Sequence, residues 1–174
     1  MCGLRQGEAL GLRWQDINFE DGTIEVKTQI QKIHGVYEFT GLKTVRSQRT
    51  VVLTADTLEA LKKHHELIQS WALRAGCAWE NWDLVFPKQD GNPRSPMTDY
   101  DEWQKALKLC GIAPRRLHDA RHTAATLMYS QRVGIETISR ALGHSSSAIT
   151  SRLYVHSAEE PLRDAAERLN SLLN

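Results

Sequence analysis

The chain has few features of secreted, zinc-binding or membrane proteins. Its three cysteines, Cys2, Cys77 and Cys110, lie far apart, so they suggest neither a disulfide framework nor a zinc ribbon. No apolar run approaches the roughly 20 residues that cross a bilayer, and no signal peptide is visible. We therefore expect a reduced, cytoplasmic protein that does not bind membranes.

The chain also lacks a strong overall charge. Its 174 residues carry a formal net charge of +1, whereas a basic balance is one common sign of nucleic-acid binding. The last third is locally basic, because arginines outnumber carboxylates there. Between Arg115 and Tyr154 the arginines are Arg115, Arg116, Arg121, Arg132, Arg140 and Arg152, and the carboxylates are Asp119 and Glu136. This distribution predicts a positive field on one face of a single domain.

Hydrophobic periodicity predicts an α+β fold that is mainly helical, with a small antiparallel sheet on the N-terminal side. The predicted strands are Thr23–Thr28, a strand within Gln29–Phe39 that is broken near Gly35, and Arg49–Leu53. Two of the predicted helices have a predicted cap: one begins at a cap at Asp56 and runs through Leu73, and one covers Asp99–Cys110 after a cap at Thr98. Four further helices are predicted over Glu8–Trp14, Arg116–Ser130, Ile135–Leu142 and from Ser145 to about Leu153. An amphipathic tail helix is predicted over 158–174.

The helix predicted over Arg116–Ser130 has two neighbouring stripes. The first is apolar and is predicted to face the core: Leu117, Ala120, Ala124, Leu127 and Met128. His118 and Arg121 lie on the second stripe, because residues three apart share a helical face. The two side chains should therefore project together.

Six dispersed side chains suit the chemistry of a phosphodiester. They are Arg5, Lys43, His118, Arg121, His144 and Tyr154. Arginine offers a planar fork that stays charged and matches phosphate oxygens. Tyrosine can form a covalent intermediate, while lysine and histidine can move protons.

Five motifs carry these side chains. They read CGLRQGEALGLRWQDI from Cys2, GLKTVRSQRTVVL from Gly41, HDARHT from His118, LGHSS from Leu142, and a tyrosine ten residues after His144. In this order they resemble the catalytic domain of the tyrosine recombinases, the phage-integrase family. The resemblance covers almost the whole chain.

The resemblance implies site-specific DNA recombination or integration through a 3′-phosphotyrosyl intermediate. Tyr154 would attack the phosphorus, and Arg5 and Arg121 would clamp the non-bridging oxygens. Lys43 would protonate the leaving 5′ oxygen, and His118 would accept the tyrosine proton.

The resemblance further implies that His144 hydrogen-bonds the phosphate. It implies no metal, no cofactor and no ATP, because the protein linkage conserves the bond energy. The partner would be double-stranded DNA, with a homo-oligomer (a tetramer in a full-length protein) on DNA and a monomer without it. Further phosphate contacts are predicted at Arg46, Arg49, Arg115, Arg116 and Arg152.

The position of Arg5 leads to a prediction about domain organisation. In the family this arginine follows a helix and a separate DNA-clamping domain, so residues 1–174 are expected to be a catalytic domain without them. The sequence leaves open whether the shortening is natural.

Three other interpretations remain beside the recombinase. One is a catalytically incompetent DNA-binding remnant of an integrase. Another is a nicking-closing activity like that of type IB topoisomerases, which the small size and the His144–Tyr154 spacing disfavour. The third is a metal site at His118 and His122, which have zinc-ligand spacing on a helix; Arg121 between them would repel a metal ion.

Overall fold

The computed structural model describes residues 2–42, 44 and 47–143. Several predicted features lie outside the described residues. These are the helices predicted over 145–153 and 158–174, together with Lys43, Arg46, His144, Arg152 and Tyr154.

Five short strands form two antiparallel sheets. The strands are β1 (Ile17–Asn18), β2 (Thr23–Val26), β3 (Thr28–Ile33), β4 (Val36–Gly41) and β5 (Arg49–Val52). The first sheet has the order β1-β2-β5, and the second is the hairpin β3-β4. Along β5, buried and exposed residues alternate, as expected for a strand with one face on the core.

The region predicted as one strand broken near Gly35 is two paired strands. Ile33 is opposite Val36, so His34 and Gly35 alone form the turn, and both have positive φ (48° and 88°). Two central residues with positive φ are typical of the tight turns that match strand twist. The predicted break is therefore the turn of a hairpin.

Five α-helices surround the sheets in the described part of the chain. They are α1 (Gln6–Leu10), α2 (Ala55–Ala75), α3 (Pro96–Leu109), α4 (Leu117–Ser130) and α5 (Ile135–Leu142). The predicted bounds of α4 and α5 are confirmed to within one residue. Helix α1 is earlier and shorter than the predicted Glu8–Trp14, and a 3-10 turn follows at Trp14–Asp16.

Two helix caps differ from those predicted. Thr54, not Asp56, caps α2, because its hydroxyl accepts from the Thr57 amide at 3.3 Å. Ser95, not Thr98, caps α3 by accepting from the Thr98 amide at 3.1 Å. In both cases the hydroxyl lies one helical turn before the bonded amide, and each helix therefore begins earlier in the sequence than predicted.

A small hydrophobic cluster of Leu10, Ile30 and Leu84 packs α1 against β3, and two further clusters complete the core of the described residues. The larger joins the three-stranded sheet to α2 and contains Leu12, Ile17, Ile24, Val26, Val51, Leu53, Leu61 and Val85. The smaller joins α4 to α5 through Ala125, Ile138 and Leu142. Within the described residues, none of the helices is both long and apolar enough to cross a membrane.

The buried side of α4 includes only part of the predicted apolar stripe: Ala124 is buried, and Leu117, Ala120 and Met128 are half-buried. Leu127 is 48% exposed, whereas Arg121, Ala124 and Ala125 are the buried residues of this helix. The small alanines let α4 approach α5 closely, and the approach encloses the Arg121 side chain. The stripe expected to carry chemistry is thus partly inside the protein.

Candidate active site

Three arginine side chains from distant parts of the sequence meet at the C-terminal end of α5. Arg5 immediately precedes α1, Arg49 begins β5, and Arg121 lies in the second turn of α4. Each donates a hydrogen bond to one of three successive backbone carbonyls. The pairs are Arg49 Nε with Ala141 at 2.8 Å, Arg121 Nη2 with Leu142, and Arg5 Nη2 with Gly143 at 2.9 Å.

The local structure of α5 explains why these carbonyls attract cations. The last carbonyls of a helix have no intrahelical partner and carry its partial negative charge. Gly143 ends α5 in the left-handed conformation, with φ of 64°, which turns the chain away from the helix axis. The three guanidinium groups thus satisfy acceptors that the helix leaves unpaired.

Glu8 is the carboxylate at the centre of this arrangement. It is only 1% exposed and bonds Arg5 at 2.7 Å and Arg49 at 2.8 Å. Burial alone would raise its pKa, but the hydrogen bonds from Arg49 and Arg5 outweigh burial and hold the pKa of Glu8 below its usual value. Glu8 is therefore ionised at neutral pH.

Arg121 is the most enclosed of the three cations. It is 4% exposed, and besides the Leu142 carbonyl it bonds the Gly3 carbonyl at 2.5 Å. Burial, then the charges of Arg5 and Arg49, lowers the pKa of Arg121 to about 10. The side chain still keeps its proton at neutral pH.

Charge in this cluster is not balanced. Arg5, Arg49 and Arg121 contribute three positive charges, and Glu8 contributes the one negative charge that faces them among the described residues. A buried excess of positive charge is unfavourable unless an anion compensates it. The Arg5 side chain is 38% exposed, so the cluster is open to an anion on that side.

His118 lies at the edge of the cluster. It is exposed on α4, and its ring meets that of His122 edge to face at 4.8 Å between centroids. Partial burial, followed by the positive charges of His122, Arg121 and Arg5, lowers the pKa of His118. A histidine that is neutral at neutral pH can accept a proton.

A cavity of about 360 Å³ opens beside Arg5. One wall is β3, with Gln29 and Gln31, and another includes Leu42 and Thr44, the neighbours of Lys43 in the sequence. The cavity therefore brings the segment predicted to carry the lysine next to the first arginine.

The other predicted phosphate contacts have different environments. Arg115 and Arg116 are exposed, and the Arg116 side chain is 80% exposed while pairing with Asp119 at 3.1 Å. Arg49 is enclosed: its side chain is 3% exposed and bonds Glu8, Ala141 and Ser47. This burial argues against Arg49 as a contact with DNA, because its donors are already used inside the protein.

The sequence alone indicates neither the central position of Glu8 nor the burial of Arg49. A surface ion pair between Arg5 and Glu8 is what their three-residue spacing suggests. The structure shows the pair, but it buries Glu8 because Arg49, 41 residues away, supplies a second partner. No local pattern reports a contact at that separation.

Comparisons with known proteins identify the family of this chain. The model of the phage integrase family matches residues 1–160. A tyrosine recombinase XerC-like protein of Caldanaerobacter subterraneus subsp. tengcongensis is 33% identical over 98% of this chain and 46% of its own length. The chain thus spans about half the length of this curated relative.

Solved structures show the same fold. The Tn1549 transposon integrase in complex with transposon right-end DNA superposes with a TM-score of 0.80 at 23% identity, over 97% of this chain and 56% of that one. The XerH site-specific recombinase, in a post-cleavage complex with its palindromic difH substrate, has a TM-score of 0.63 at 27% identity, over 95% of this chain and 42% of that one. With this match of sequence and fold, the chain belongs to the phage integrase family of tyrosine recombinases.

Proposed function

We propose that this chain cleaves and rejoins DNA in site-specific recombination or integration, through a 3′-phosphotyrosyl intermediate. The observation that carries the proposal is the excess positive charge around Arg5 and Arg121, with His118 at its edge. A phosphodiester is an anion whose negative charge grows in the transition state of transfer. Donors fixed in advance around that charge are a large source of catalysis, and the loss of one costs about 10²–10³ in rate.

In the proposed reaction, the phenolic oxygen of Tyr154 attacks the scissile phosphorus. The new bond joins tyrosine to the 3′ phosphate, and the bond to the 5′ oxygen breaks. His118 accepts the tyrosine proton, and Lys43 gives a proton to the departing oxygen. A 5′ hydroxyl from a partner strand then attacks the phosphotyrosine, which restores a DNA strand and releases Tyr154.

The low pKa of His118 supports its role as the base. The ordinary pKa of tyrosine is near 10, so the phenol needs an acceptor for its proton at neutral pH. Burial, followed by the charges of His122, Arg121 and Arg5, lowers the pKa of His118, so it remains neutral there. The cations that would bind the phosphate therefore contribute to keeping the base unprotonated.

His144 directly follows Gly143, whose carbonyl accepts from Arg5. This adjacency supports the proposed hydrogen bond from His144 to the same phosphate that Arg5 would hold. The remaining proposed contacts with the DNA backbone are Arg46, Arg115, Arg116 and Arg152.

The proposed partner is double-stranded DNA. DNA complexes occur among the solved structures that share this fold. We further propose that the chain is monomeric without DNA, that a full-length protein containing it forms a tetramer on DNA, and that it acts in the cytoplasm. The alternative, an incompetent DNA-binding remnant, is not favoured, because the family's arginines and first histidine are present and lie together.

Covalent capture from a pool of DNA sequences tests this function. The chain is incubated with nicked duplexes whose sequence is randomised around the nick. Cleavage beside the nick releases a short fragment that carries the 5′ hydroxyl; because this fragment diffuses away, the strand cannot be rejoined and the adduct accumulates. We expect adducts that survive SDS and share a sequence motif. Tyr154→Phe should form none; adducts from that variant, or none from the unaltered chain, would contradict the proposal.

A further inference from the structure

Arg49 has contacts that connect two parts of the active site. Its side chain is buried, and its donors reach α1, the segment before β5 and the end of α5. We propose that Arg49 is a positioning residue for DNA cleavage: through Glu8 it sets the orientation and free charge of Arg5, and through Ala141 it holds the end of α5. This inference rests on the proposed function.

The first connection runs through a shared carboxylate. Arg49 donates two hydrogen bonds to Glu8, from Nη2 to Oε2 at 2.8 Å and from Nη1 to Oε1 at 3.2 Å. The same Oε1 accepts from Arg5 Nη1 at 2.7 Å. Since a two-bond pair fixes the plane of a carboxylate, Arg49 determines where Oε1 lies and therefore where Arg5 is held.

Charge strengthens this connection. With Arg49 present, the single charge of Glu8 is divided between two guanidinium groups, and Arg5 keeps part of its positive charge for an anion. Without Arg49, Glu8 would pair with Arg5 alone. The phosphate would then compete with a carboxylate for the same guanidinium.

The second connection runs through α5. Arg49 Nε donates to the Ala141 carbonyl at 2.8 Å, and its Nη1 donates to the Ser47 carbonyl at 3.1 Å. The end of α5 lies directly on this side chain, since a Cβ added at Gly143 would come within 2.9 Å of Arg49 Nη1. The carbonyls that orient Arg5 and Arg121 are thus placed by Arg49.

A buried ion pair that only stabilises the fold can be distinguished from a positioning residue by its effect on different substrates. It would affect stability, and any loss of cleavage would be the same for every substrate. A residue that prepares Arg5 for a charged phosphate should matter less when the phosphate carries no charge. A methylphosphonate linkage, in which a methyl group replaces one non-bridging oxygen, makes this distinction.

The test measures single-turnover adduct formation on nicked duplexes of the captured sequence, with either a normal or a methylphosphonate scissile linkage. Arg49→Met keeps the side-chain length and removes the charge, whereas Arg49→Lys keeps the charge. Arg5→Ala shows how the rates on the two linkages change when an arginine proposed to bind the phosphate is lost. Arg94→Met is the matched control, because Arg94 pairs with Glu102 at 2.5 Å and bonds the Pro87 carbonyl at 3.0 Å.

We expect Arg49→Met to slow cleavage of the normal linkage by up to about 100-fold, the loss that misplacing a catalytic group by about 1 Å can cause. The loss should be several-fold smaller on methylphosphonate, as for Arg5→Ala, and Arg49→Lys should be intermediate. An unchanged rate, or an equal loss on both linkages, would overturn the inference.

A second measurement separates this inference from the proposed function. If the unaltered chain forms no adduct, the function fails, but the position of Arg5 can still be observed by nitrogen-15 NMR of its guanidinium, assigned with Arg5→Lys. A held guanidinium gives resolved Nη signals. We expect these signals to shift in both Arg49→Met and Arg49→Lys, because the geometry of the Arg5–Glu8 pair changes, but not in Arg94→Met; unchanged signals would refute the positioning role.

Discussion

His118 illustrates how the site sets the properties of a single residue. Burial and the charges of His122, Arg121 and Arg5 all lower its pKa, so its neutral form persists as the pH falls below its usual pKa. In the proposed mechanism the base must be neutral, so protonation of His118 should stop cleavage on the acid side of the pH profile. The position of that acid limb therefore reports the surroundings of His118.

We predict that His122→Gln moves this acid limb to higher pH. The change removes one positive neighbour, so the pKa of His118 should rise toward its usual value. The pH profile of adduct formation and an NMR titration of His118 measure the shift. His64→Gln is the control, because His64 bonds the Val85 carbonyl at 2.7 Å and is not among the groups that shift His118. An unmoved limb would show that His118 is not the base.

Glu8 is predicted to matter more for stability than an exposed carboxylate. Glu8→Gln keeps the shape of the side chain but leaves the three guanidinium groups without a counter-charge. Removing one partner of a buried ion pair costs about 3–5 kcal/mol, whereas an exposed pair contributes about 0–1 kcal/mol. Denaturant unfolding should show this difference between Glu8→Gln and Glu102→Gln, the latter being half exposed in its pair with Arg94. Equal losses would contradict the buried cluster.

The C-terminal end of α5 is the element that joins the three arginines. Gly143 and Gly111 both have positive φ, at 64° and 68°, so alanine should incur a similar backbone strain of about 1–2 kcal/mol at either position. They differ in space: an added Cβ meets Arg49 Nη1 at 2.9 Å at Gly143 and nothing within 4 Å at Gly111.

We therefore predict that Gly143→Ala is more destabilising than Gly111→Ala and also slows adduct formation. The extra effect should come from displacement of Arg49 and of the carbonyls that bind Arg5 and Arg121. Thermal unfolding measures the loss of stability, and the single-turnover rate of adduct formation measures the effect on the site. If both variants lose equal stability and keep the normal rate, the end of α5 does not organise the site.

Elements with strong local signals were the predictable part of this structure. The bounds of α4 and α5 follow from periodicity and from the glycine that ends α5, and His118 and Arg121 share a face of α4 as expected. The predicted core stripe of α4 is only partly correct, because Ala124 is buried but Leu127 is exposed, and Arg121 and Ala125 outside that stripe are buried as well. Periodicity identifies a stripe, but the shape of the partner helix decides how far around α4 the buried face extends.

At the scale of the whole molecule, the site depends on contacts between distant parts of the chain. Arg5 bonds Gly143 across 138 residues, and Arg121 bonds Gly3 across 118. The motifs that indicated the family supplied the candidate residues, but neither the shared role of Glu8 nor the burial of Arg49 could be derived from them. Both depend on the fold that brings α1, β5 and α5 together.

The separation of buried and exposed arginines predicts how the whole chain responds to salt. A net charge of +1 gives little long-range attraction to DNA, so affinity should depend on a few direct phosphate contacts. Each phosphate neutralised contributes about −0.9 to the slope of log affinity against log salt concentration. Exposed Arg115 and Arg116 should contribute to this slope, whereas Arg49 should not.

We predict that Arg116→Ala weakens binding to all duplex sequences alike and makes the slope shallower by about 0.9. Arg49→Met should leave the slope unchanged, because its side chain is 3% exposed and bonded inside the protein. Fluorescence anisotropy over a series of salt concentrations, with target and scrambled duplexes, measures both quantities. A loss confined to the target duplex would mean that Arg116 reads bases, and a shallower slope for Arg49→Met would mean that Arg49 leaves its pocket to meet the DNA.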